Sequence, residues 1–197
     1  MKLFWAPQTR AVRGIWMLEE AGVDYDMERI DLDDPGRMDN AEFCAASPMG
    51  KVPALVDGDV ALSDSAAICL YVADRYAMES LAPSLDDARR GKYLYWMLYT
   101  PGVVEPAMSE KFNNVEPNRR RSGWGDFDLM VETWDAGLEG REWILGDRFT
   151  AADVMLGSSA IFMRQFGMLP ASSNLDAYAD RCAARPAHGR AVDKAKT

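Results

Sequence analysis

The sequence predicts an α/β N-terminal domain built on a four-stranded mixed sheet, followed by an all-helical C-terminal domain. Three observations carry this. A strand–helix–strand pattern fills the chain up to Asp31. A Pro-led hairpin and a helix occupy Val52 to Tyr76. Beyond about Asp86 the apolar spacing is helical throughout.

Each element follows from its residues. Lys2 to Trp5 (KLFW) reads as a strand closed by Ala6-Pro7. From Thr9 to Ala21, Val12, Ile15, Trp16 and Leu18 recur at helical spacing, and Gly22 ends the run. Asp26 to Asp31 is a second strand, parallel to the first because a helical crossover separates them. The stretch from Asp33 to Gly50 is irregular, with at most a short helix near Asp39 to Ala45. VPALVDGDVAL is a hairpin with Asp57-Gly58 as its turn. The helix from Ser65 to Tyr76 then places Ala66, Cys69, Leu70 and Ala73 on one face. The loosely patterned AMESLAPSLDD is a linker, which divides the chain into domains 1–78 and 86–197.

In the second domain, RRGKYLYWMLYTPGVVEPAM is a long helical pattern that Pro101 and Pro106 should kink or divide. DFDLMVETWDAGLEG is an amphipathic helix ending near Gly140. FTAADVMLGSSAIFM is the most apolar helix, with Thr150 and Asp153 in capping-box relation, and is expected at the domain's centre. NLDAYADRCAARPAHGRAVDKA closes with one or two surface helices.

Composition narrows the function. With 48% hydrophobic residues in 197, the chain can fill a core, and disorder is excluded. A net charge of −9 and a pI near 4.7 argue against nucleic acid as a general partner. There is no apolar run of membrane length, and MKLFWAPQTR lacks a secretory signal's apolar core, so a cytoplasmic location is expected. Cys44, Cys69 and Cys182 have neither disulfide-framework nor metal-site spacing, and no metal is expected.

The segment SPMGKVPALVDGDVALSDSAAICLYVADRY, Ser47 to Tyr76, resembles the N-terminal signature of the glutathione transferase family. FTAADVMLG is similar to the capping box of that family's buried helix, and NLDAYADRCAARPAHGRA to its closing segment. The resemblance covers nearly the whole chain. It implies a thioredoxin-like domain joined to a helical one, glutathione as co-substrate, a small electrophile as second substrate, and a homodimer.

The resemblance also assigns residues. Pro53 would follow a cis bond, leaving the backbone N–H and C=O of Val52 facing outward to pair with a bound peptide. Ser65, at a helix N-terminus, would hold the γ-glutamyl carboxylate, and Asp64 would cap the helix and help hold the amine. Lys51 would reach the glycyl carboxylate. Ser47 stands where the family often has Asn. Read without the resemblance, Pro53 is an ordinary strand-edge proline and Asp64-Ser65 a plain N-cap.

The catalytic position departs from the family pattern. Glutathione's thiol, near 8.5 when free, needs about 2.7 kcal/mol of thiolate stabilisation to fall by two units. One or two hydrogen bonds to a charged group, each roughly 1.5–3 kcal/mol, supply that. The family places Tyr, Ser or Cys after the first strand for this purpose; here the segment is Ala6-Pro7-Gln8-Thr9-Arg10. Thr9 aligns with the serine of Ser-Pro-x-Ser-Arg variants and can donate the same bond, although its position equally suits a helix cap. Arg10 adds positive potential, and the Gln8 amide is a further donor to sulfur. Tyr93, Trp96 and Tyr99, at helical spacing, either line the second-substrate pocket or fill the core. His188 reads as an exposed bystander.

Three activities compete: conjugation of glutathione to electrophiles, glutathione-dependent disulfide reduction, and non-catalytic glutathione binding or regulation. The absent Tyr, Ser or Cys favours the last, and the intact socket favours an enzyme.

Overall fold

Strand β1 (Lys2–Trp5) is an inner strand of a four-stranded sheet of order β2-β1-β3-β4, and its Leu3 and Phe4 are fully buried. β2 (Asp26–Arg29) runs parallel to it, β3 (Ala54–Asp57) antiparallel, and β4 (Val60–Ser63) antiparallel to β3. These come from a computed structural model that describes residues 1–169 and 173–196. The crossover from β1 to β2 is α1 (Ala11–Ala21), which starts two residues later than its apolar spacing suggests. It stops at Gly22, whose φ of +65° lets its N–H bond the Leu18 carbonyl.

The hairpin differs from expectation by one residue. Asp57 pairs with Val60, so Gly58-Asp59 forms the two-residue loop, and Gly58 takes φ +61°. Before β3, a 3-10 turn (Pro35–Asp39) leads into α2 (Ala41–Ala46), capped by the Asn40 side chain accepting from the Phe43 N–H. Phe43 and Ala46 of α2 pack with Phe4, Ile30 and Ala54 on one face of the sheet. α3 (Ser65–Tyr76) follows β4 with the expected bounds.

The chain separates into two compact units, one of residues Met1–Ala82 with the segment from Ala184 onward, the other Pro83–Ala183. The second unit is helical. α4 (Arg90–Tyr99) passes through a π-helical turn (Thr100–Val104) into α5 (Glu105–Phe112). Pro101 withholds the N–H that a regular turn needs, and the backbone widens around it. α6 (Phe127–Leu138), α7 (Ala151–Gln165) and α8 (Ser173–Ala183) complete the unit. α7 is its apolar centre, with the Thr150–Asp153 capping box formed. The fully buried Asp153 carboxylate accepts from the Ile144 and Thr150 N–H groups and the Thr150 and Tyr178 hydroxyls, at 2.9–3.1 Å. α8 is no mere surface helix, since Leu175, Tyr178, Ala179 and Cys182 are fully buried.

The last helix, α9 (Pro186–Lys194), belongs with the first unit, whereas its sequence position suggested the helical domain. It lies on α1. Arg185 forms a bidentate pair with Glu20, and Arg190 and Lys194 both bond Glu19. His188 is no bystander, because its ring meets Trp16 edge-on with centroids 4.7 Å apart. Among the described residues no helix is long and apolar enough to cross a membrane.

Candidate functional site

Strand register brings three loops to one end of the sheet. Phe4, near the end of β1, pairs with Ala54, the first residue of β3, and Ala54 pairs with Ser63, the last residue of β4. The turn carrying Gln8, Thr9 and Arg10 leaves β1 at that end. Lys51, Val52 and Pro53 enter β3 there, and Asp64 and Ser65 leave β4 there. α1 closes on the same place: a Cβ added at Gly14 would stand 3.5 Å from Pro53 Cβ and 3.2 Å from Leu3 Cδ1. All eight residues that the sequence nominated for glutathione and catalysis therefore share one end of one unit.

Asp64 is a working N-cap of α3. Its Oδ1 accepts from the Ala66 N–H at 2.8 Å and the Ala67 N–H at 3.3 Å. It does so at φ +79°, ψ 132°, a conformation that an L side chain rarely adopts. Ser65 follows as the first residue of α3, only 5% exposed, and its hydroxyl makes no hydrogen bond among the described residues. The Val52–Pro53 bond is cis, and the sheet ladder begins only at Ala54. Val52 packs its side chain against the Phe4–Phe43 cluster, Pro53 is buried, and Lys51 is exposed with no ion pair among the described residues.

The turn after β1 has a different character. The Thr9 hydroxyl donates to the Ala6 carbonyl at 2.7 Å and accepts from the Ala11 N–H at 3.2 Å. A carbonyl can only accept, so the one proton of Thr9 is committed to it. Of the two roles open to Thr9, this geometry supports the structural one. Gln8 beside it is exposed at φ +56°, and Arg10 is exposed as the residue preceding α1.

Of the two roles open to Tyr93, Trp96 and Tyr99, their burial favours the core. Their relative exposures are 0%, 3% and 4%, and the Tyr99 hydroxyl donates to the Met130 carbonyl at 2.8 Å. Trp96 lies so close to Gly137 of α6 that a Cβ there would come within 2.6 Å of it. α4 instead turns Leu94, Tyr95 and Leu98 outward.

None of the cysteines is an obvious nucleophile. Cys69 and Cys182 are fully buried, and burial pushes the Cys69 thiol up to about 12. The partly exposed Cys44 donates to the Met38 carbonyl. No group of three or more His, Cys, Asp or Glu that could hold a metal occurs among the described residues. Sequence reasoning missed the work of Ser47, which is fully buried beside the socket; its only signal was its place before the Pro-x-Gly.

Known proteins similar to this chain point to one family. The family pattern described as glutathione S-transferase, N-terminal domain, matches residues 9–75. Glutathione S-transferase F10 of Arabidopsis thaliana is 33% identical over 155 residues, which are 72% of this chain and 71% of that protein. The chain belongs to the glutathione S-transferase family. Another relative of this chain is the disulfide-bond oxidoreductase YfcG of Escherichia coli (strain K12). It is 28% identical over 211 residues, covering 98% of this chain and 95% of that one. A sphingomonad glutathione S-transferase complexed with glutathione matches the structure with a TM-score of 0.80 at 27% identity, covering 100% and 99% of the two chains. The four-stranded unit is accordingly the family's thioredoxin-like domain, and the chemistry common to the family is glutathione transfer.

Proposed function

We propose that this glutathione S-transferase binds glutathione at the sheet end carrying Ser65 and activates its thiol for conjugation to small electrophiles. The observation that supports it best is Ser65. Its hydroxyl, on a residue only 5% exposed, makes no hydrogen bond among the described residues, and it lies at the N-terminus of α3, where the helix dipole favours an anion. The γ-glutamyl carboxylate fits that description. Asp64 Oδ1 takes the two helix N–H groups, which leaves Oδ2 for the γ-glutamyl amine. The Val52 backbone pairs with the cysteinyl unit in strand fashion, and Lys51 neutralises the glycyl carboxylate. The thiol then faces the turn after β1. With the Thr9 proton engaged, the Arg10 charge and the Gln8 amide are the groups that stabilise the thiolate.

The test is Ser65→Ala. Losing a hydroxyl bond to a charged carboxylate should weaken glutathione binding by roughly 1.5–3 kcal/mol, which is tenfold or more. Calorimetry that finds no binding by the wild type at millimolar glutathione would sink the proposal.

A second reading, glutathione-dependent disulfide reduction, is favoured by the likeness to a disulfide-bond oxidoreductase along nearly the whole chain. The reducing sulfur would be glutathione's own, so buried Cys69 and Cys182 are no obstacle. Turnover of a model disulfide without turnover of a model aryl halide would select this reading. We also propose a homodimer, supported by the outward Leu94, Tyr95 and Leu98 of α4 and by the prevalence of two-fold closure. Light scattering at micromolar concentration should give twice the 21.9 kDa chain mass; a single chain mass would overturn it.

A further inference from the structure

The segment entering β3 is closed by one side chain. Ser47 is fully buried, and its hydroxyl donates to the Lys51 carbonyl at 2.7 Å and accepts from the Lys51 N–H at 2.9 Å. The Ser47 carbonyl also accepts from the Gly50 N–H at 2.8 Å. Gly50 sits at φ +63° and buried, so close under Met38 that a Cβ would stand 2.7 Å from the Met38 sulfur. Both polar backbone groups of Lys51 are thus engaged by a single hydroxyl, and the loop is roofed by a thioether.

The consequence lies in the next peptide plane. In a planar trans peptide the carbonyl of one residue and the N–H of the next point in opposite directions. The Lys51–Val52 bond is not among the cis bonds of the chain. With the Lys51 carbonyl drawn toward buried Ser47, the Val52 N–H must face away from that loop. That N–H is the donor a bound peptide would meet at the entry of β3.

We infer that Ser47 is a positioning residue for glutathione binding, holding the Lys51–Val52 peptide plane so that the Val52 N–H faces the ligand. The inference rests on the glutathione reading above and adds to it a residue that touches no ligand. Ser47 acts through Lys51, so its loss should alter affinity and leave the thiol chemistry alone. An asparagine at 47 carries both a donor and an acceptor on one amide and can engage the same two groups.

The experiment compares wild type, Ser47→Ala and Ser47→Asn by amide hydrogen exchange without ligand and by glutathione calorimetry and turnover. Wild type should protect the Lys51 amide. Ser47→Ala should expose it and weaken glutathione about tenfold, while turnover at saturating glutathione stays within about twofold. Ser47→Asn should recover most of the protection and affinity. An unprotected Lys51 amide in the wild type overturns the inference, as does wild-type affinity in Ser47→Ala. A fall in saturated turnover at unchanged affinity overturns it as well. A wild type that protects the amide yet binds no glutathione instead removes the glutathione reading, and with it any part for Ser47 in holding that ligand.

Discussion

Asp64 holds a backbone conformation whose cost for an L residue is of the order of 1–3 kcal/mol. Two helix N–H groups repay part of this through its carboxylate, and the remainder marks a position where side chain and geometry are both required. Thr9 is the contrasting case, a polar residue at the site whose bonds are all internal to its turn. Thr9→Val should lower stability by about 1 kcal/mol, by deleting a hydroxyl that bridges Ala6 and Ala11. The pKa of bound glutathione should not move. Ultraviolet titration of thiolate beside a thermal melt checks this, and a rise of a pKa unit or more would restore Thr9 as the activating group. Asp64 and Ser65 were legible in the sequence because a cap is set by neighbours one to three residues away. The commitment of Thr9 was not, because it depends on where the Ala6 carbonyl points.

Elements show the same division. The hairpin, α3 and the buried α7 were legible from short-range pattern, and their bounds needed little adjustment. The placement of α9 was not, since its basic residues read as a solvated face and their partners lie some 165 to 175 positions earlier in the chain. Glu19 carries this contact. Burial would raise its pKa, but hydrogen bonds from Lys194, Arg190 and Tyr25 prevail and hold it at about 2, below the ordinary 4.5. A carboxylate depressed in the folded state stabilises above its unfolded pKa, and that contribution is lost as pH falls through the folded one. Docking of α9 should therefore weaken progressively from about pH 4.5 to about 2. Hydrogen exchange of the α9 amides across that range is the measurement. Glu19→Gln should show raised exchange already at neutral pH, and unchanged exchange would place the hold in Glu20–Arg185 alone.

For the whole molecule, the buried carboxylate of Asp153 links stability to pH in the opposite sense. Burial pushes it up to about 6, although four donors favour its charged form. A group raised in the folded state stabilises fully below its unfolded pKa, near 3.8, and that share is lost as pH rises through about 6. Asp153→Ala should cost at least about 3 kcal/mol at neutral pH, because buried donors lose their acceptor. The variant should also lack the wild type's loss of stability between pH 4 and 6, which thermal melts at intervals across that range would reveal. The return of α9 to the first unit has a consequence for synthesis. Glu19 and Glu20 emerge from the ribosome long before Arg185, Arg190 and Lys194. At about 5–20 residues per second, the hundred or so residues between α3 and α9 take roughly 5–20 s to translate. Through that interval the outer face of α1 is a nascent surface carrying paired negative charge, and the thioredoxin-like unit reaches its final form only once α9 has been made.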